Sequence, residues 1–266
     1  MFDAALVDQF GTIHDGVAPY PGAVEALAML RDAGKPVVLL SNTGKRAAPN
    51  AARLAELGIQ ADLYRGFVTS GEAGWRLLAQ GRVPGAEGAR RCLLLTRDDD
   101  GALLDGTGVE AVTRPEDAEL VVIAGSDGDR RTLASYRDML APFAEKPVPA
   151  ICLNPDRVML TKSGPAFGAG RIAETYQELG GRVTWIGKPH PAIYREALAA
   201  LPGVARDRVA GIGDSVEHDI AGARAAGCRA ILVRAGIIAG ASDAALEEEF
   251  ARRSARPDAL VESFSC

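Results

Sequence analysis

Apolar residues along the chain fall into short runs separated by helical stretches. Ala4–Val7 is an apolar run that ends at Asp8. Val24, Leu27 and Leu30 then recur at helical spacing, with Pro21 ahead of them and Gly34 and Pro36 behind as start and stop signals. Pro36–Leu40 reads as the next strand, and Arg46–Leu57 as a helix closed by Gly58. Gly66–Thr69 is a short strand before a helix over Gly71–Gln80. Later, Val183–Gly187, Val209–Gly213 and Ala230–Val233 read as strands, with helices over Pro191–Leu201 and Glu217–Ala226 between them. Strands that are apolar throughout and alternate with helices predict an α/β fold, its parallel sheet buried on both faces.

The middle of the chain is patterned differently. Gln80–Ala89 is rich in glycine, and Arg91–Thr96 and Leu120–Gly125 read as strands among acidic loops at Asp98–Asp100 and Arg114–Glu119. Pro147–Pro149 and Gly164–Gly170 are further breakers. This predicts a core formed by 1–80 and 182–266 around an inserted α/β domain at 81–181. Glu247–Glu249 with Arg252 and Arg253 reads as a solvated helix face with (i, i+4) pairs.

Composition narrows the function classes. The 266 residues carry a net charge of −5, a poor match to nucleic acid or anionic membrane. The longest uncharged stretch is nine residues, as at Pro147–Pro155, against about 20 for a membrane helix. Asp3 and Asp8 interrupt the N-terminal apolar run, which argues against a signal peptide. Cys92, Cys152, Cys228 and Cys266 are scattered without a CxxC pair; this fits core residues in a reducing cytoplasm rather than zinc or disulfides.

Four polar features stand at predicted strand ends, where open parallel sheets bind ligands. Asp8-Gln9-Phe10-Gly11-Thr12 presents a carboxylate suited to nucleophilic attack or to a hard metal, or to a plain turn. Ser41-Asn42-Thr43-Gly44 offers small donors at a helix start, as an anion site or as a cap. Gly187-Lys188-Pro189 offers a cation for an anionic intermediate, or a plain solvated lysine. Gly213-Asp214 with Asp219 gives two acids that suit Mg²⁺, or a cap and a helix-dipole partner.

In this order the four features resemble the motifs of the haloacid-dehalogenase-like (HAD) superfamily over nearly the whole chain. Ile13-His14-Asp15-Gly16, Tyr20-Pro21-Gly22-Ala23, Leu39-Leu40-Ser41-Asn42, Asn154-Pro155-Asp156 and Gly187-Lys188-Pro189 resemble its class IIA phosphatases. The resemblance implies a Rossmann-like core with a class IIA cap, and a Mg²⁺-dependent phosphoric-monoester hydrolase acting on a small phosphorylated metabolite. Asp8 would be the nucleophile. Asp8, the Phe10 backbone carbonyl and Asp214 would hold Mg²⁺. Ser41 and the Asn42 backbone would bind the phosphoryl oxygens, Lys188 would offset charge, and Asp219 would support the metal site. A dimer paired through the caps is also implied. Cap loops at Asn154–Arg157 and Lys162–Gly168 are the candidates for substrate selection.

One position departs from the family pattern. The first motif usually reads D-x-D-G, and here its third residue is Phe10. The missing acid is worth about 10²–10⁴-fold in rate, or about 3–5 kcal/mol of barrier. Three readings stay open. One is a phosphatase with a good leaving group or a substitute acid, for which His14 and His190 are candidates. Another is dehalogenase-like chemistry, because Asp8–Thr12 resembles the D-x-[YF]-G-T of 2-haloacid dehalogenases. Against it, only one helix fits between Asp8 and Ser41, with no room for their helical cap. The third is a ligand-binding protein with little turnover.

Overall fold

The computed structural model describes all residues except Asp99, Lys162, Ser163 and Cys266. Parts of the expected Asp98–Asp100 and Lys162–Gly168 loops, and Cys266, therefore lie outside the described residues. The chain divides into two compact units. The first holds Met1–Ser41, Ala47–Val68 and Lys188–Cys266; the second holds Asn42–Arg46 and Thr69–Gly187.

In chain order the strands are β1 (Ala4–Asp8), β2 (Val37–Ser41), β3 (Gly66–Thr69), β4 (Arg91–Leu95), β5 (Glu110–Val112) and β6 (Leu120–Ile123). They continue with β7 (Ala150–Cys152), β8 (Val158–Thr161), β9 (Gly164–Phe167), β10 (Val183–Trp185), β11 (Val209–Gly213), β12 (Arg229–Val233) and β13 (Ala259–Val261).

A six-stranded sheet in the order β13-β12-β11-β1-β2-β3 organises the first unit. β1 sits in parallel between β11 and β2, with Val7 level with Ile212 and with Leu39. All five residues of β1, β2 and β11 are buried, as the continuous apolar runs predict for a sheet covered on both faces. One face packs Leu6, Val38, Leu40 and Leu232 against Ile193, Tyr194 and Ile220; the other packs Val7, Leu39 and Ile212 against Leu27, Leu54 and Ile13. Because β1, β2 and β11 run parallel, their C-terminal residues share one edge of the sheet. That edge carries Asp8, Ser41 and, just past β11, Asp214.

The second unit is built on a parallel five-stranded sheet in the order β10-β7-β6-β4-β5, with β8 and β9 as a separate antiparallel pair. Its core joins Val121, Ile123 and Cys152 to Tyr136, Ile172 and Tyr176.

Two boundaries differ from the sequence reading. Val183–Gly187 was expected in the core with 182–266, but β10 pairs with β7 in the second sheet. The helix Ser70–Ala79, expected in the core as part of 1–80, groups with the second unit. Its Gly74 leaves room for Leu153. Glu217–Ala226 is also not one regular helix. Val216–Ile220 forms a wide π turn that runs into an α-helix over Ala221–Ala225. The acidic segment near the C-terminus does form a helix, Asp243–Arg253, in which Glu249 pairs with Arg253.

Candidate active site

Asp8 ends β1 and is nearly enclosed. The chain turns sharply behind it, because the carbonyl of Gln9 accepts from the amides of Thr12, Ile13 and His14. The turn needs Gly11 at φ +88°, where a side chain would also collide with the Asp214 carboxylate. The Thr12 hydroxyl donates to Asp8 Oδ2 at 3.2 Å. Lys188 Nζ donates to Asp8 Oδ1 at 2.5 Å and to Asp219 Oδ1 at 2.7 Å.

Asp219 is set by the π turn. Ser215 begins the turn, and its amide donates to Asp219 Oδ2 at 3.1 Å. The Tyr194 hydroxyl donates to the carbonyls of His218 and Asp219, which ties the turn to the helix Pro191–Ala199. Such wide turns commonly occur at functional sites. Asp214 follows β11, and its Oδ2 accepts from the Ile237 amide at 2.7 Å. Carboxylate oxygens of Asp8, Asp214 and Asp219 all lie within 4.8 Å of one another.

The electrostatics follow from three acids around one lysine. Burial disfavours charge on Lys188, but Asp219 and Asp8 outweigh it and hold the ammonium protonated far up the pH scale. Burial, with Asp219 and Asp214 nearby, pushes the Asp8 carboxyl well up against the pull of Lys188. Burial and then Asp219 push the Asp214 carboxyl up to about 7. The cluster is thus short of positive charge. An all-oxygen, carboxylate-rich donor set with unmet negative charge fits a hard divalent cation such as Mg²⁺.

Ser41 ends β2 and accepts from Gln9 Nε2 at 2.7 Å, which brings it beside the Asp8 turn. Asn42 is grouped with the second unit, where its Nδ2 donates to Asp156 Oδ1 at 2.8 Å. Asp156 belongs to the Asn154–Arg157 segment singled out above.

His14 is buried beneath Phe10, their rings edge to face with centroids 5.8 Å apart. Its Nδ1 accepts from the Gly16 amide at 2.9 Å, and burial lowers its pKa. His190 occupies the position just before the helix Pro191–Ala199, and its pKa is lowered by burial and by His218. Phe10 itself remains 47% exposed, an apolar ring where the first motif usually has an acid.

Gln9, Thr12, Tyr194 and the Ile237 amide escaped the sequence reading. Only Gln9 and Thr12 carried a signal, as polar residues inside the first motif.

A haloacid dehalogenase-like hydrolase model matches residues 5–110, and a second HAD hydrolase-like model matches 185–265. The haloacid dehalogenase-like hydrolase domain-containing protein 2 of Bos taurus is 32% identical over 235 residues, which are 88% of this chain and 84% of that protein. The D-glycerol 3-phosphate phosphatase of Mycobacterium tuberculosis is 30% identical over 88% of this chain and 64% of its own length. Among solved structures, the p-nitrophenyl phosphatase from Archaeoglobus fulgidus superposes with a TM-score of 0.80 at 26% identity, over 99% of this chain and 97% of that one. The parallel sheet, the four strand-end features in order and these matches have one reading: the chain belongs to the haloacid dehalogenase-like hydrolases, in their class IIA phosphatase subgroup.

Proposed function

We propose that this chain is a Mg²⁺-dependent phosphatase that acts on small phosphate monoesters through an aspartyl-phosphate on Asp8. The observation that carries the proposal is Lys188, whose ammonium bridges Asp8 and Asp219 beside Asp214 at the sheet edge. A carboxylate held between a lysine and a metal-type acid cluster can approach an anionic phosphoryl group without prohibitive repulsion.

Asp8, the Phe10 carbonyl and Asp214 would hold Mg²⁺, with Asp219 orienting Lys188. The ion, when bound, supplies positive charge against the phosphoryl oxygens. Asp8 attacks phosphorus, the ester bond breaks and the leaving group departs with its electron pair. Lys188 offsets the charge on Asp8 and the phosphoryl group, while the Ser41 hydroxyl and Asn42 backbone bind its oxygens. Water then cleaves the aspartyl-phosphate and releases inorganic phosphate. The second unit is the class IIA cap in this reading, with Asn154–Arg157 among its selecting segments. The relatives named for p-nitrophenyl phosphate and D-glycerol 3-phosphate support a small phosphorylated substrate.

Phe10 narrows the substrate class. No acid stands in the third motif position, and His14 spends Nδ1 on the Gly16 amide. Esters whose leaving group departs without a proton are therefore favoured, such as aryl phosphates. Phe10→Asp is expected to raise kcat/KM on an alkyl sugar phosphate by up to about 10²-fold relative to p-nitrophenyl phosphate. An unchanged ratio in a folded variant counts against this role of Phe10.

The test of function is a panel of phosphorylated metabolites and p-nitrophenyl phosphate, with 2-chloropropionate as control. Phosphate release should vanish in EDTA and return with Mg²⁺. Metal-independent chloride release would point to dehalogenase chemistry instead, and no turnover on any compound would favour a binding protein.

A further inference from the structure

We infer that His14 and Gln9 are positioning residues that aim the Ser41 hydroxyl proton away from Gln9, as a donor for a phosphoryl oxygen. The inference rests on the phosphoryl-binding role proposed above for Ser41.

The relay starts at a backbone amide. The Gly16 N–H donates to His14 Nδ1 at 2.9 Å. A backbone amide can only donate, so Nδ1 carries no proton, and the neutral ring must carry its proton on Nε2. That nitrogen lies 3.5 Å from Gln9 Oε1. Turned the other way, the Gln9 amide would set its own N–H against that of His14. The amide is therefore fixed with its oxygen toward His14 and its NH₂ group toward Ser41. The 3.5 Å link is long and acts by excluding the flipped amide rather than by its own strength.

The Gln9 NH₂ group donates to Ser41 Oγ at 2.7 Å. A serine hydroxyl has one proton and two lone pairs. One lone pair is committed to Gln9, so the hydroxyl proton must point elsewhere. His14, Gln9 and Ser41 are all buried, which strengthens this polarity by keeping water from competing. The relay begins in the Gly16 turn at φ +89°, and Phe10 packs on His14. An ionised phosphoryl group accepts hydrogen bonds only, so a hydroxyl preset as a donor needs no reorientation when the group arrives.

A double-mutant cycle tests the relay. Wild type, Gln9→Met, Ser41→Ala and the double variant are compared by kcat/KM for p-nitrophenyl phosphate with Mg²⁺. Their affinity for inorganic phosphate is measured by calorimetry. Gln9→Met should lower both about five- to tenfold. Ser41→Ala should lower them at least as far, and the double variant should match Ser41→Ala within about twofold. Ser41→Thr, which restores a hydroxyl, should restore the sensitivity to Gln9→Met.

Equal Gln9→Met effects in the wild-type and Ser41→Ala backgrounds would overturn the inference. Nitrogen-15 NMR of the wild-type protein supplies a readout that does not depend on any variant folding. His14 should be the Nε2–H tautomer, and an Nδ1–H tautomer would equally overturn the inference. Absence of wild-type turnover would instead defeat the phosphatase reading, leaving the tautomer and the phosphate-affinity cycle to judge the relay.

Discussion

Asp8→Asn is expected to reduce phosphate-ester turnover by at least about 10⁴-fold while leaving the fold intact. The amide has the shape of the carboxylate but is a far weaker nucleophile. It also removes one carboxylate from a cluster in which Asp8 and Asp214 are already pushed up by burial and by neighbouring acids, so the folded protein should lose little stability. Steady-state kinetics with p-nitrophenyl phosphate, alongside a thermal melt, would measure both. A wild-type rate in the variant would remove Asp8 from the chemistry.

Lys188→Met is expected to harm both catalysis and stability. Its ammonium is the charge partner of two buried carboxylates, Asp8 and Asp219. Removing one partner of a buried ion pair costs about 3–5 kcal/mol, because the remaining charge is left uncompensated. In a chain of this size that lowers Tm by roughly 5–10 °C. Loss of a charge-stabilising donor lowers kcat by a further 10²–10³-fold or about that order.

The stability loss has a defined pH dependence. Without Lys188, the charge that opposes burial at the Asp8 carboxyl is lost, and that carboxyl moves further upward. An acid whose folded pKa is raised binds protons more tightly folded than unfolded, so stability falls as pH rises through that folded pKa. In EDTA, the Tm gap between variant and wild type should therefore be wider at pH 8 than at pH 5. A gap that narrows as pH rises would contradict the assignment of Lys188 as the partner of these acids.

Much of this site was legible in the sequence for a physical reason. Strands buried on both faces must be apolar throughout, so a polar residue that ends such a run marks the sheet edge. Asp8 after Ala4–Val7, Ser41 after Val37–Leu40 and Asp214 after Val209–Gly213 all announce themselves in this way. The apolar run before Lys188 announced a strand but not its partner. Nothing in Val183–Trp185 specifies which sheet it joins, and it pairs with Ala150–Cys152.

Two of the three-residue strands carried too little pattern to be seen. Glu110–Val112 and Ala259–Val261 have three residues each, and the latter is exposed throughout. The π turn at Val216–Ile220 was invisible because its distinguishing feature is backbone hydrogen bonding rather than side-chain periodicity. The role of Gln9 was hidden for another reason. Its position in the motif was plain, but the bond to Ser41 spans 32 residues of sequence.

The absent acid at Phe10 should be visible in the time course of turnover. An acid at that position would serve two steps, protonating the leaving group and then activating water. A nitrophenolate needs no proton to depart, so with p-nitrophenyl phosphate only the second step should suffer. The aspartyl-phosphate should then accumulate. Rapid mixing of the Mg²⁺-loaded protein with p-nitrophenyl phosphate, followed by acid quench and borohydride trapping, tests this directly. The expected result is a burst approaching one nitrophenolate per molecule, a slower steady rate, and homoserine, the borohydride-reduced product of the acyl-phosphate, in place of Asp8 on its peptide. A linear time course with no modification at Asp8 would contradict it.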